Sequence, residues 1–145
     1  MSKLVGVDFI GSIDATSHRI IGNINKKSFY QAVAAALAAS VLWQADFDGT
    51  IGDGYVVVGT APAAGESMTV DILRNGSSIL LSVLTIDSTV DITKQIQAKL
   101  DPTKTAFKVG DIFTCTRGYT AGGGPTPMAK TTVFIEPSTR SYNGG

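Results

Sequence analysis

Along residues 66–87 the apolar and polar positions fall into two runs around one dipeptide. Met68, Val70 and Ile72 alternate with Thr69 and Asp71 as far as Arg74, and residues 79–86 are nearly all apolar. Between them stands Asn75-Gly76, the pair that best tolerates the positive φ required at both central residues of a type I′ turn. This pattern predicts an antiparallel hairpin with a core behind it. The period of two recurs at Trp43, Ala45 and Phe47, which alternate with Gln44, Asp46 and Asp48 and predict a half-buried strand with Trp43 facing inward. Gly49, Gly52 and Gly54 then read as a loop before a short apolar strand at residues 55–58, and residues 61–65 as a turn. Val109-Gly110-Asp111 predicts a tight turn into a strand over residues 112–119, with Phe113, Cys115, Arg117 and Tyr119 on one face and Thr114 and Thr116 on the other. Residues 122–127 form a loop tip, and residues 128–136 return as a last strand in which Val133 and Ile135 alternate with Thr132 and Phe134.

Two stretches carry a spacing of four instead. Phe29, Val33, Leu37 and Val41, with alanines between them, predict a short helix over residues 28–41 capped by Ser28. The alternative there is extended chain whose alanines line a close contact. Ile92, Ile96 and Leu100 suggest a second short helix, or Val90 and Ile92 an edge strand, and Pro102 ends whichever forms. Residues 1–27 show no period. Leu4, Val5, Val7, Phe9 and Ile10 are apolar but interrupted by glycines, so this leader either packs on its own domain or reaches a neighbour as an arm. The expected fold is therefore mainly all-β: an antiparallel β-sandwich or jelly-roll-like domain with an irregular N-terminal leader and one short Ala-rich helix. The expected boundaries are a leader or arm at 1–27, the sandwich at 28–137 with the Ala-rich segment at its start, and a flexible tail at 138–145.

Composition narrows the class. The 145 residues fit one domain, 43% hydrophobic and 17% charged, with 16 glycines, which suits a turn-rich folded chain. Twelve basic residues balance twelve acidic ones, so the basic excess of a nucleic-acid binder is missing. The adjacent pair Lys26-Lys27 is expected to be solvated surface. A single cysteine, Cys115, rules out an intramolecular disulfide. Asp8 and the glycines break any signal-peptide h-region, and no run approaches the roughly 18 apolar residues of a membrane span. A soluble protein made in the cytosol without a signal peptide is the expectation.

Chemistry is sparse. His18 is the one histidine, no nucleophile sits in an elbow, and Cys115 falls on the apolar face of its strand, so no catalytic set is expected. Asp46, Asp48 and Asp53 invite a calcium reading, but a loop starting at Asp46 would place Ile51 and Val57 where an EF-hand needs Gly and Glu. Asp46 and Asp48 are better explained as the wet face of the Trp43 strand. Gly122-Gly123-Gly124 lacks the Gly-Lys-Ser/Thr ending of a phosphate loop, and its glycines instead suit a surface excursion with a contact role. Sugar binding would need an exposed aromatic platform, for which Tyr55 and Tyr119 are the candidates. No cofactor and no metal are expected.

Residues 56–136 resemble a kind of small structural protein of tailed bacteriophages, through VVVGTAPAAGESMTVDILRNGSSIL and then VGDIFTCTRGYTAGGGPTPMAKTTVFIE. The resemblance implies a β-sandwich virion protein, either a capsid decoration (cement) protein on the capsid surface or a receptor- or glycan-binding module of a head or tail fibre. It implies as partners the major capsid protein of the same virion and further copies of the chain, as a trimer, with neither nucleic acid nor membrane. Residues proposed for capsid or subunit contact are Leu4, Val5, Phe9, Ile10 and His18 in the leader and Gly122, Gly123, Gly124 and Pro125 at the loop tip.

Overall fold

The computed structural model describes residues 12–13, 20–21, 26–31, 37–120 and 130–139. Within them the chain is all β, in two antiparallel sheets that face each other. Four strands build most of the first sheet in the order β10 (Ala106–Phe107), β5 (Gly49–Val58), β12 (Thr131–Ser138) and β3 (Lys27–Gln31), and β9 (Ile96–Gln97) also pairs with β5. The second runs β4 (Leu37–Gln44), β11 (Ile112–Thr120), β6 (Ser67–Arg74) and β7 (Ser77–Ser78), with β8 (Leu84–Asp87) pairing β6 further along. A two-residue pair, β1 (Ser12–Ile13) with β2 (Ile20–Ile21), lies in the leader.

Alternation builds the core. Val56, Val58, Val133 and Ile135 from one sheet meet Met68, Val70, Ile72, Ile86, Phe113 and Cys115 from the other. At one end Trp43 lies against Phe47, Phe107 and Phe113, with ring centroids 5.4, 5.2 and 5.7 Å away. Offset and edge-to-face pairs of this kind add about 0.5–1.5 kcal/mol each beyond their burial. On one flank the sheets are stitched together. Leu80 bridges Leu100, the Leu81 amide donates to the Lys99 carbonyl at 2.8 Å, and the Asp101 amide donates to the Ile79 carbonyl at 2.8 Å.

The predicted turn is present. Asn75 and Gly76 have φ of 51° and 86°, and Arg74 pairs with Ser77 across them. The return strand is not continuous, however. After Ile79, whose amide still donates to the Ile72 carbonyl at 2.9 Å, the chain leaves β6, exposing Leu81 and Val83, and rejoins it only at β8. An almost unbroken apolar run has no period to reveal such a detour.

Three further expectations are corrected. No helix forms over the described part of residues 28–41: residues 27–31 and 37–44 are strands β3 and β4, because each finds a ladder partner, β12 and β11 respectively. Gly49, Gly52 and Gly54 do not make a loop but lie inside β5. A Cβ on Gly49 would stand 2.1 Å from the Ser138 carbonyl oxygen, and one on Gly54 would press Ile72 and Leu100 at 3.3 and 3.4 Å, so the glycines let backbone and core approach. Residues 92–100 form neither the helix nor the strand expected at Val90 and Ile92: both of those residues lie outside any strand, and the pairing with β5 falls at β9, Ile96–Gln97.

Candidate interaction surface

The residues proposed for contact, Leu4, Val5, Phe9, Ile10, His18, Gly122, Gly123, Gly124 and Pro125, all lie outside the described residues. The other candidates do not converge. Asp48 accepts the Val109 amide at 2.8 Å, and Asp53 accepts the Gln97 side-chain amide at 2.6 Å as well as the Gly54 amide. Asp46 is exposed, but it and Asp48 do not form the wet face of the Trp43 strand, because β4 ends at Gln44 and both lie in the connection to β5. Among the described residues no three His, Cys, Asp or Glu side chains come together in a way that could hold a metal ion. Cys115 is fully buried, and burial pushes its thiol up to about 11, so it is a core side chain without thiolate character.

Tyr55 and Tyr119 occupy different sheets and make no shared platform. Tyr55 is only 2% exposed: it stands on the outer face of its sheet, stacked on Phe134 at 4.8 Å and capped by Lys26 5.7 Å from the ring centre. The Tyr55 hydroxyl, chiefly, and then Glu136 hold Lys26 protonated more firmly than an isolated lysine. Lys27 lies over the Trp43 ring at 5.5 Å. The lysine pair expected to be plain solvated surface thus sets its two ammonium groups over aromatic rings.

Alternation put Arg117 in phase with Phe113 and Cys115, and it is indeed inside, 3% exposed, yet nothing in the sequence marked it as special. Its Nη1 donates to the Thr131 hydroxyl of the opposite sheet at 2.6 Å, and the guanidinium lies 5.6 Å from the Tyr119 ring centre. Burial lowers the Arg117 pKa and raises that of Tyr119. The Tyr119 hydroxyl and Gln31 Oε1 are buried without a hydrogen-bond partner. This end of the sandwich is polar between its sheets, opposite in character to the Trp43 end.

The surface that geometry singles out is the flank away from the stitched one. There each sheet ends on a strand with, among the described residues, one neighbour only: β4 beside β11, and β3 beside β12. The β4 sequence, LAASVLWQ, has no charge and no proline over eight residues. Natural edge strands are usually blunted by such residues, because unpaired amides and carbonyls template further pairing. Two register shifts against β11 bend β4, and beyond the first of them Val41 points outward, 61% exposed, across from Thr114. Leu73 lies on the other side of Thr114 and Ile112 two residues along, so the sheet carries an apolar and threonine-rich outer strip.

No protein-family model matches the chain, and no curated protein matches it. Among solved structures, a chain from Desmodium yellow mottle tymovirus is similar at 13% identity and a TM-score of 0.35, over 97% of this chain and 96% of that one.

Proposed function

We propose that the protein is a non-enzymatic structural component of a virion: a capsid decoration protein that binds the assembled phage head and stabilises it by non-covalent contacts. The single observation that supports this most is the uncharged edge of β4, which among the described residues pairs with β11 only and carries the exposed Val41. A protein displaying such an edge gains by covering it, and an extended segment of a partner covers an edge by adding a strand. One edge of eight residues supplies less than the roughly 800 Å² per partner of a stable interface. The apolar leader, residues 1–27, is proposed to supply the rest as an arm, and self-association into a trimer would multiply the contacts. Sites that exist only on the assembled shell convert binding into shell stability by mass action. The zero formal charge suits contact with protein better than with nucleic acid.

The test is co-sedimentation of the purified protein with expanded phage shells. Binding that saturates is expected, weakened by deletion of residues 1–27. Failure to bind any expanded shell would overturn the decoration reading, and undiminished binding by the deletion variant would overturn the arm. A receptor- or glycan-binding fibre module is the alternative, and it needs a different aromatic surface from the Tyr55 and Tyr119 pair. Glycan-array binding by the intact protein would favour it.

A further inference from the structure

The turn that joins β6 to β7 carries chemistry as well as shape. Asn75 and Gly76 are both exposed, and Gly76 has no side chain to crowd its own nitrogen. An asparagine followed by such a glycine is open to attack by that nitrogen. The Asn75 side chain, however, is turned the other way. Its Nδ2 donates to Asp111 Oδ1 at 3.0 Å and its Oδ1 accepts the Ile112 amide at 2.9 Å, while its own backbone amide donates to the Ile112 carbonyl at 2.8 Å. Asp111 is braced in turn, its Oδ2 accepting the Lys108 amide at 3.0 Å.

We propose that Asn75-Gly76 is a site of spontaneous deamidation, held in check by the clasp from Asp111 and Ile112 and unlatching the 108–112 turn once it has reacted. In the reaction the Gly76 nitrogen gives its proton to solvent base and bonds to Asn75 Cγ. The Cγ–Nδ2 bond breaks and ammonia leaves with a proton from solvent. Water then opens the five-membered imide at either carbonyl, giving aspartate or isoaspartate at position 75. Two effects of the clasp oppose each other. The Ile112 amide polarises the side-chain carbonyl and favours attack, but both hydrogen bonds must break before Cγ can swing over the Gly76 nitrogen. The second effect dominates, because without that approach no polarisation matters. The product places a carboxylate against the Asp111 carboxylate, where an amide had donated, so attraction becomes repulsion. The amide hydrogen bond is also one cause of the lowered Asp111 pKa, after the Lys108 amide.

Peptide mapping of the full-length protein, held at mildly alkaline pH in buffer and in urea, tests this. Breaking two hydrogen bonds of ordinary strength should slow the folded protein at least about tenfold relative to the unfolded one. Asp111→Ala should recover much of the unfolded rate, whereas Asp111→Asn, which keeps an acceptor oxygen, should stay slow. Ile86→Ala, destabilised far from the clasp, should stay slow under conditions where it remains folded. Equal rates in buffer and urea, or equal rates for Asp111→Ala and Asp111→Asn, would overturn the clasp. Asn75→Asp should exchange the Ile112 amide proton faster than the parent, and unchanged exchange would overturn the unlatching.

Discussion

At the scale of single residues, three glycines with similar surroundings in the sequence do different work, and substitution separates them. Gly49→Ala drives a Cβ into the Ser138 carbonyl, a backbone atom that cannot turn aside, so it should cost about 3 kcal/mol or more. Gly52→Ala meets only an ordinary contact, the Glu136 carbonyl at 3.7 Å, and should leave the urea midpoint close to that of the parent. Equal midpoints for the two variants would contradict the close approach. None of this was legible in advance: three glycines within six residues look like a loop, because what Gly49 makes room for lies on β12, and what Gly54 makes room for, Ile72 and Leu100, lies on other distant segments. Asn75-Gly76 was legible for the converse reason, since a requirement for positive φ is local. Acidic residues show a second repeated device. Asp87, Asp91 and Asp101 each accept the amide and hydroxyl of the threonine two residues on. Those hydrogen bonds, the hydroxyl first, lower all three carboxyl pKa values. A depressed folded pKa means the unfolded chain binds more protons between the two values, so stability there rises with pH. The contribution is complete above the unfolded value of about 4 and is lost as pH falls through the folded ones. Replacing all three by Asn keeps a side-chain oxygen acceptor at each turn and should flatten the acid limb of a midpoint-against-pH plot, leaving pH 7 little changed. An unaltered acid limb would remove these carboxylates as its cause.

Elements were read best where the period was two and worst where it was four. Phe29, Val33, Leu37 and Val41 satisfy a helix, yet a spacing of four is also a multiple of two, and a strand satisfies it equally. Alanine's helix preference tipped the reading, and ladder partners on β11 and β12 overrode that preference. Even the strand phase is not simple, since the register shifts turn Leu37 inward and Val41 outward on the same strand. The exposure of Val41 was therefore hidden, and with it the candidate surface; what could be seen was a run with no charge. That surface is open to a direct test. Val41→Lys puts a solvated charge on the β4 edge without touching the core, so it should shift stability by no more than about 0.5 kcal/mol. If β4 takes part in contact, the same variant should bind expanded shells at least about tenfold more weakly, the penalty of burying an unpaired ammonium. Thr85→Lys, on β8 at the other side of that sheet, is the control for charge alone. Parent-like shell binding by Val41→Lys would take β4 out of the interface.

For the molecule as a whole, the decisive fact is where the last strand goes. β12 lies between β5 and β3, pairing with both, and sends Val133, Ile135 and Pro137 into the core. It also receives the Arg117 hydrogen bond from the facing sheet through Thr131. The centre of one sheet is thus made by residues 131–138, while its neighbours come from residues 27–31 and 49–58. Such pairings close long loops before they are rewarded, which places sandwiches among the slower two-state folders, from milliseconds to seconds. It also means the first sheet cannot be completed from a chain that lacks its end. A chain ending at Lys130 leaves one long edge of β5 unpaired, exposes Val56 and Val58, and removes the Thr131 hydroxyl to which Arg117 donates. Each buried aliphatic side chain lost is worth about 1.5–3 kcal/mol, so losing Val133 and Ile135 alone removes about 3–6 kcal/mol, comparable to the lower end of an ordinary domain's stability. The second sheet, with its hairpin and β11, keeps every strand but loses the surface it packs against. The truncated protein should therefore show no cooperative urea transition and little near-ultraviolet circular dichroism, and limited proteolysis should cut β5 and β6 alike. A protected fragment spanning β6 to β11 would instead show that the second sheet folds by itself, and that the two sheets are less dependent on each other than the shared core requires.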